Sequence, residues 1–135
     1  GVAGGAHAGK RLGERPGWSP REALARLETT AGIVLFGVWA AAPWIATSAG
    51  LLIATSIVGG LLTGLPFPAL ARLAAVRGRA EASAGAWAMA GDNLGACFGA
   101  LAATLILLPA HGFATVVLLL AAARACGALT AAVGK

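Results

Sequence analysis

The stretch GDNLGACFGALAATLILLPAHG, Gly91 to Gly112, decides how the chain is read. It carries one carboxylate, Asp92, beside glycines spaced by four at Gly91, Gly95 and Gly99. An uncharged apolar run follows, then a turn containing Pro109. A water-soluble helix of this length keeps a polar face, and here none exists. The stretch therefore predicts a membrane-crossing helix that ends at a tight bend, since about 20 apolar residues cross a bilayer.

Composition extends that reading to the whole chain. Apolar residues make up 59% and charged residues 11% of 135, against roughly 25% charged in soluble domains. Mean hydropathy is +0.83. The net charge of +5 does not point to nucleic acid, because the basic residues flank apolar runs, where they act as topology signals. The segments 9–28 and 72–81 hold eight of the ten Lys and Arg, and the turns 47–50 and 109–112 hold none. The positive-inside rule then places both basic segments in the cytoplasm of a bacterial-type inner membrane.

The expected fold is an all-α bundle forming a single transmembrane domain over 1–135, with four full spans and the end of a fifth. Gly1 to Ala8 reads as the tail of an incomplete helix, and 9–28 as a cytoplasmic basic loop and helix start. The spans are 29–46, 51–72, 83–108 and 112–133. Ser19-Pro20-Arg21-Glu22 is a helix start, with Ser as N-cap, Pro in the first turn and Glu three residues beyond the cap. Helix breaks are expected at Pro43, Pro66, Pro68 and Pro109. Trp44 and Trp87 read as interfacial anchors.

Asp92 is the leading candidate for a special role, because charge at membrane depth costs roughly 2.5–3.5 kcal/mol on insertion scales. Counted from the basic side, Asp92 in the third span and Arg124 in the fourth both lie about 14 Å deep. An ion pair across that hairpin is expected, acting chiefly to fix helix register. Gly60, Gly64, Gly91, Gly95, Gly99 and Gly127 read as packing positions, where a missing side chain lets a neighbouring helix approach. Glu28 reads as a polar anchor where the first span enters lipid.

No catalytic, metal or cofactor site emerges. Cys97 and Cys126 differ in expected depth by about 10 Å, too far for a disulfide. His7 and His111 fall on opposite sides of the membrane, which excludes a shared haem, and each reads as an interfacial residue. Motifs for nucleotide binding, zinc proteases and serine hydrolases are missing.

Several short motifs, in order, resemble a known family. They are Gly9-x-x-Leu12-x-x-Arg15, Leu27-Glu28-x-x-x-Gly32, Gly64-Leu65-Pro66-Phe67-Pro68 with Arg72, Asp92-x-x-Gly95-Ala96-x-x-Gly99-Ala100, and Leu107-Leu108-Pro109-x-x-Gly112. Together they resemble the membrane-embedded half of spermidine synthase-like (polyamine aminopropyltransferase-like) integral membrane proteins. The resemblance implies a transporter-like helical bundle, similar to part of a major-facilitator half. In many members it precedes a soluble aminopropyltransferase domain, which this chain lacks, so no enzymatic residue carries over. Met89 stands where the family usually has Tyr, and Arg124 where Asn is common.

The expected function is a non-catalytic membrane scaffold or anchor without cofactor. Its expected partners are the lipid bilayer and other membrane helices or subunits of a larger assembly. The alternatives are a small-cation, polyamine-like transport module with Asp92 as its site, or an accessory subunit of a respiratory or photosynthetic complex.

Overall fold

The computed structural model describes residues 2–13, 17–76 and 81–133, without the side chains of residues 81, 82, 84, 85, 88 and 92. All regular structure among them is helical: α1 (Val2–Gly13), α2 (Pro20–Ala40), α3 (Ala42–Ile45), α4 (Ala49–Gly64), α5 (Phe67–Val76), α6 (Glu81–Ala102), a π-helical turn (Ala103–Leu107) and α7 (Leu108–Val133). Three stretches are long and apolar enough to cross a membrane: Pro20–Ala40, Ala49–Val76 and Met89–Val133.

Local chemistry sets the helix ends. Ser19 Oγ accepts from the Glu22 N–H at 3.2 Å, and the Ser19 N–H donates to Glu22 Oε2 at 2.9 Å. This capping box starts α2 at Pro20, as the sequence predicts. α2 ends at Ala40, and Pro43 falls in the first turn of the short α3. Pro66 has no N–H to continue the helical ladder, so α4 stops at Gly64 and α5 restarts at Phe67 with Pro68 in its first turn.

One end differs from expectation. The residues Gly9 to Gly13 are not a loop but the last turns of α1. They are kept helical by packing on α4 and α5, which composition alone does not reveal. Pro109 lies in the last helical turn before the bend, because the helical run continues without a gap from Glu81 through the π-helical turn to His111. The interruption comes at Gly112, with φ 76° and ψ 171°, a backbone state that suits glycine alone.

α2 and α7 run antiparallel along their lengths. Glu28 lies beside Arg124 and Gly127, Gly32 beside Ala121 and Arg124, and Phe36 shares a groove with Leu118. α1 runs parallel to α4, with Gly5 against Leu61 and Gly64, and Gly9 against Leu65. α6 packs on α5 and has no packed face with α7 among the described residues. The close hairpin expected of spans 83–108 and 112–133 is therefore splayed apart.

A buried apolar cluster sits at one end of the bundle, and Ala42, Ile45, Val116 and Val117 are buried toward the other. At the first, Ala23, Leu24, Leu27 and Ala69 are enclosed by Leu12, Trp18, Leu65, Leu73 and Ala131. The C-termini of α1, α5 and α7 and the N-terminus of α2 meet at this end. Arg72 Nη1 donates to the Gly13 carbonyl at 3.0 Å, closing the C-terminus of α1. Arg26 lies 4.2 Å from the centre of the Trp18 ring. Elsewhere large apolar side chains face outward, among them Ile33, Phe36, Phe98, Leu105 and Ile106. So continuous an apolar exterior marks a membrane-facing surface rather than a water-facing one.

Glycine packing is concentrated at α1 rather than α6. Gly5, Gly9 and Gly13 are the buried residues of α1. A Cβ on Gly5 would strike the Leu61 carbonyl, one on Gly9 the Leu65 carbonyl, and one on Gly64 the Val2 carbonyl. Gly60 is half-buried on the same helix as Gly64. Nothing lies within 4 Å of a Cβ placed on Gly91, Gly95 or Gly99. Gly5→Ala and Gly64→Ala should each lower stability by about 1–3 kcal/mol, the usual cost of overpacking, while Gly95→Ala should leave it unchanged or slightly raised. Thermal unfolding of the purified variants in one detergent checks this ordering.

Candidate functional site

The site grows from two charged residues that sequence distance hides from each other. Glu28 is carried by α2 and Arg124 by α7. Arg124 Nη1 donates to both Glu28 Oε1 and Glu28 Oε2, each at 3.0 Å. The Glu28 side chain is 12% exposed and that of Arg124 25%. Gly127 lets the carboxylate lie against the α7 backbone, since a Cβ there would sit 3.6 Å from Glu28 Cδ and Oε2. That is an ordinary contact, so Gly127 eases this approach without being required for it.

Arg124 thus has its carboxylate partner on α2. The side chain of Asp92, the partner expected from sequence, lies outside the described residues. Its neighbour Gly91 is described and lines a cavity of about 320 Å3 beside the ion pair. Thr63, Pro66, Phe67, Leu70 and Trp87 form the rest of the wall. The cavity therefore gathers α2, the α4–α5 break, α6 and α7 around one pair of opposite charges. Because Gly91 and Arg124 border the same space, the chain between them must travel out and back, and Gly112 supplies the bend.

The depth of Glu28 follows from the capped start of α2 rather than from the start of the apolar run at Thr29. Counted from the capped start at Pro20, Glu28 is eight residues in, about 12 Å. Arg124 is nine residues before Val133, about 14 Å from the same end of the bundle. Two unlike charges at matching depth on antiparallel helices are natural partners. Starting the apolar span at Thr29 made Glu28 look like a residue at the lipid boundary.

The other sequence candidates are dispersed. Cys97 and Cys126 are free thiols on exposed faces. Among the described residues no three His, Cys, Asp or Glu side chains gather where a metal ion could be held. Pro43, Pro66 and Pro68 stand at helix interruptions, and of these Pro66 borders the cavity.

No protein-family model, curated protein or solved structure matches this chain.

A buried ion pair is costly to break from one side, because the survivor is left charged and unpaired, a loss of roughly 3–5 kcal/mol when fully buried. Removing both charges with apolar replacements is often neutral. Glu28→Leu alone and Arg124→Leu alone should each destabilise the protein by up to that amount, and the double variant should recover most of the loss. A double-mutant cycle from chemical unfolding in detergent measures the coupling, which vanishes if the pair contributes nothing.

Proposed function

We propose that the chain is a non-catalytic membrane module that acts as an anchor or scaffold for other membrane helices. The observation that carries this reading is the open face of α6. Gly91, Gly95 and Gly99 repeat at the spacing of a close helix–helix seam, yet no described residue lies within 4 Å of a Cβ placed on any of them. Leu94, Phe98 and Leu101 on the same helix are also exposed. α1 gives the internal comparison, since its glycines at the same spacing are covered, Gly5 by Leu61 and Gly64 of α4, Gly9 by Leu65 and Gly13 by Ala23 of α2. A helix of another subunit, or further helices of the same assembly, would complete α6 in the same manner.

The module crosses the membrane four times in this reading, with α1 as part of a further helix. The stretch Met89–Val133 has 45 residues, far more than the ~20 needed for one crossing, and Gly112 divides it into two lengths that each suffice. Lys10, Arg11, Arg21, Arg26 and Arg72 belong to segments that meet at one end of the bundle, as a cytoplasmic face requires. The likeness to the membrane half of spermidine synthase-like proteins is part of the same proposal. Small-cation transport is the weaker alternative, because the described carboxylate at the cavity is already neutralised by Arg124.

Two measurements test the proposal. After Cys97 and Cys126 are replaced by Ala, single cysteines at Lys10, Thr47 and His111 are labelled in sealed vesicles with a membrane-impermeant maleimide. Thr47→Cys and His111→Cys should label from the side opposite to Lys10→Cys; labelling of His111→Cys from the same side as Lys10→Cys would refute four crossings. Native mass spectrometry should find the wild-type chain in a larger assembly, which Gly95→Leu with Gly99→Leu dissolves into folded single chains. A wild-type protein that is always a single chain would overturn the scaffold reading.

A further inference from the structure

We propose that the cavity beside Glu28 and Arg124 binds a small zwitterion, a molecule carrying an ammonium and an oxyanion a few bonds apart with an apolar remainder. The volume of about 320 Å3 falls at the small end of the roughly 300–1,000 Å3 typical of small-molecule sites. Its walls provide one carboxylate, one guanidinium and the apolar surfaces of Pro66, Phe67, Leu70 and Trp87.

Charge balance selects the ligand class. A simple cation binding Glu28 would have to displace Arg124 and leave a guanidinium unpaired at membrane depth. A simple anion binding Arg124 would strand Glu28 in the same way. Each outcome carries the penalty of an uncompensated charge in a low-dielectric setting. A zwitterion avoids both, because its ammonium meets Glu28 while its oxyanion meets Arg124, so one pair becomes two and the net charge is unchanged.

The geometry of the pair leaves room for this exchange. Arg124 holds Glu28 through Nη1, and a guanidinium carries further N–H donors on Nη2 and Nε that suit an oxyanion. The helical ladder is also interrupted beside the cavity, because neither Pro66 nor Pro68 has an N–H to offer the turn before it. Broken helices bordering a charged cavity are a recurring way to hold polar ligands inside a membrane protein. On the α6 side, Gly91 contributes no bulk, which keeps the cavity open.

Leucine is a suitable probe, with leucinamide as the cation-only control and 4-methylpentanoate as the anion-only control. Radiolabelled leucine should bind saturably to the full chain in nanodiscs of phosphatidylglycerol alone, a lipid that carries no ammonium. Unlabelled leucine should compete at least tenfold better than either control. Glu28→Gln and Arg124→Gln should each lower affinity at least tenfold. Because these variants disturb the fold, Gly91→Leu serves as the second test; it fills the cavity, leaves the ion pair intact, and should abolish binding without lowering the melting temperature. Adding phosphatidylethanolamine, which bears an ammonium and a phosphate, should inhibit leucine binding if a lipid headgroup is the resident zwitterion, and leave it unchanged if a free amino acid is. Absence of saturable binding to the wild-type protein in the phosphatidylethanolamine-free nanodiscs, equal competition by leucinamide, or full binding by Gly91→Leu would each overturn the proposal.

Discussion

A single guanidinium–carboxylate contact ties together helices that are almost a hundred residues apart in the chain. Glu28 and Arg124 lie where neither could be left alone cheaply, so α2 and α7 must approach at one register and in one orientation. Sliding either helix by one turn would move a charge by about 5 Å along the axis and separate the partners. The apolar contacts of Leu24, Leu27 and Ala131 near the basic end tolerate small shifts; the ion pair does not. The remaining helices are arranged around this fixed couple, with α5 and α6 bordering the cavity that opens beside it.

A second constraint is steric. α1 approaches α4 so closely that backbone meets backbone at Gly5, Gly9 and Gly64. Lipid tails are as apolar as leucine side chains, so transfer out of water cannot drive two helices together once both are in the bilayer. Dispersion between closely placed backbones can. The bundle thus combines two kinds of adhesive: charge between α2 and α7, and contact without side chains between α1 and α4.

The helical class, the capped start at Ser19, the breaks at Pro43 and Pro66 and the clustering of basic segments were all readable from residue types. Each depends on local chemistry or on composition averaged over a span. What escaped were choices among equivalent partners. Two glycine ladders of equal spacing exist, at Gly5–Gly9–Gly13 and Gly91–Gly95–Gly99, and nothing in the spacing says which one the chain itself fills. Likewise the contact of Arg124 with Glu28 escaped, because an apolar-run boundary at Thr29 places Glu28 at the lipid edge; the Asp92 side chain lies outside the described residues. The bend expected at Pro109 comes at Gly112, three residues on, where the backbone takes a positive φ.

The seam between α1 and α4 has a bearing on biosynthesis. The ribosome delivers α1 before α2, α3 and α4, so α1 is made while the surface that accepts its glycines does not yet exist. Until then its bare backbone must be shielded by lipid, by the translocation machinery or by a helix that later yields its place. The last of these would make α4 a competitor as well as a partner, and assembly would proceed through an exchange of neighbours.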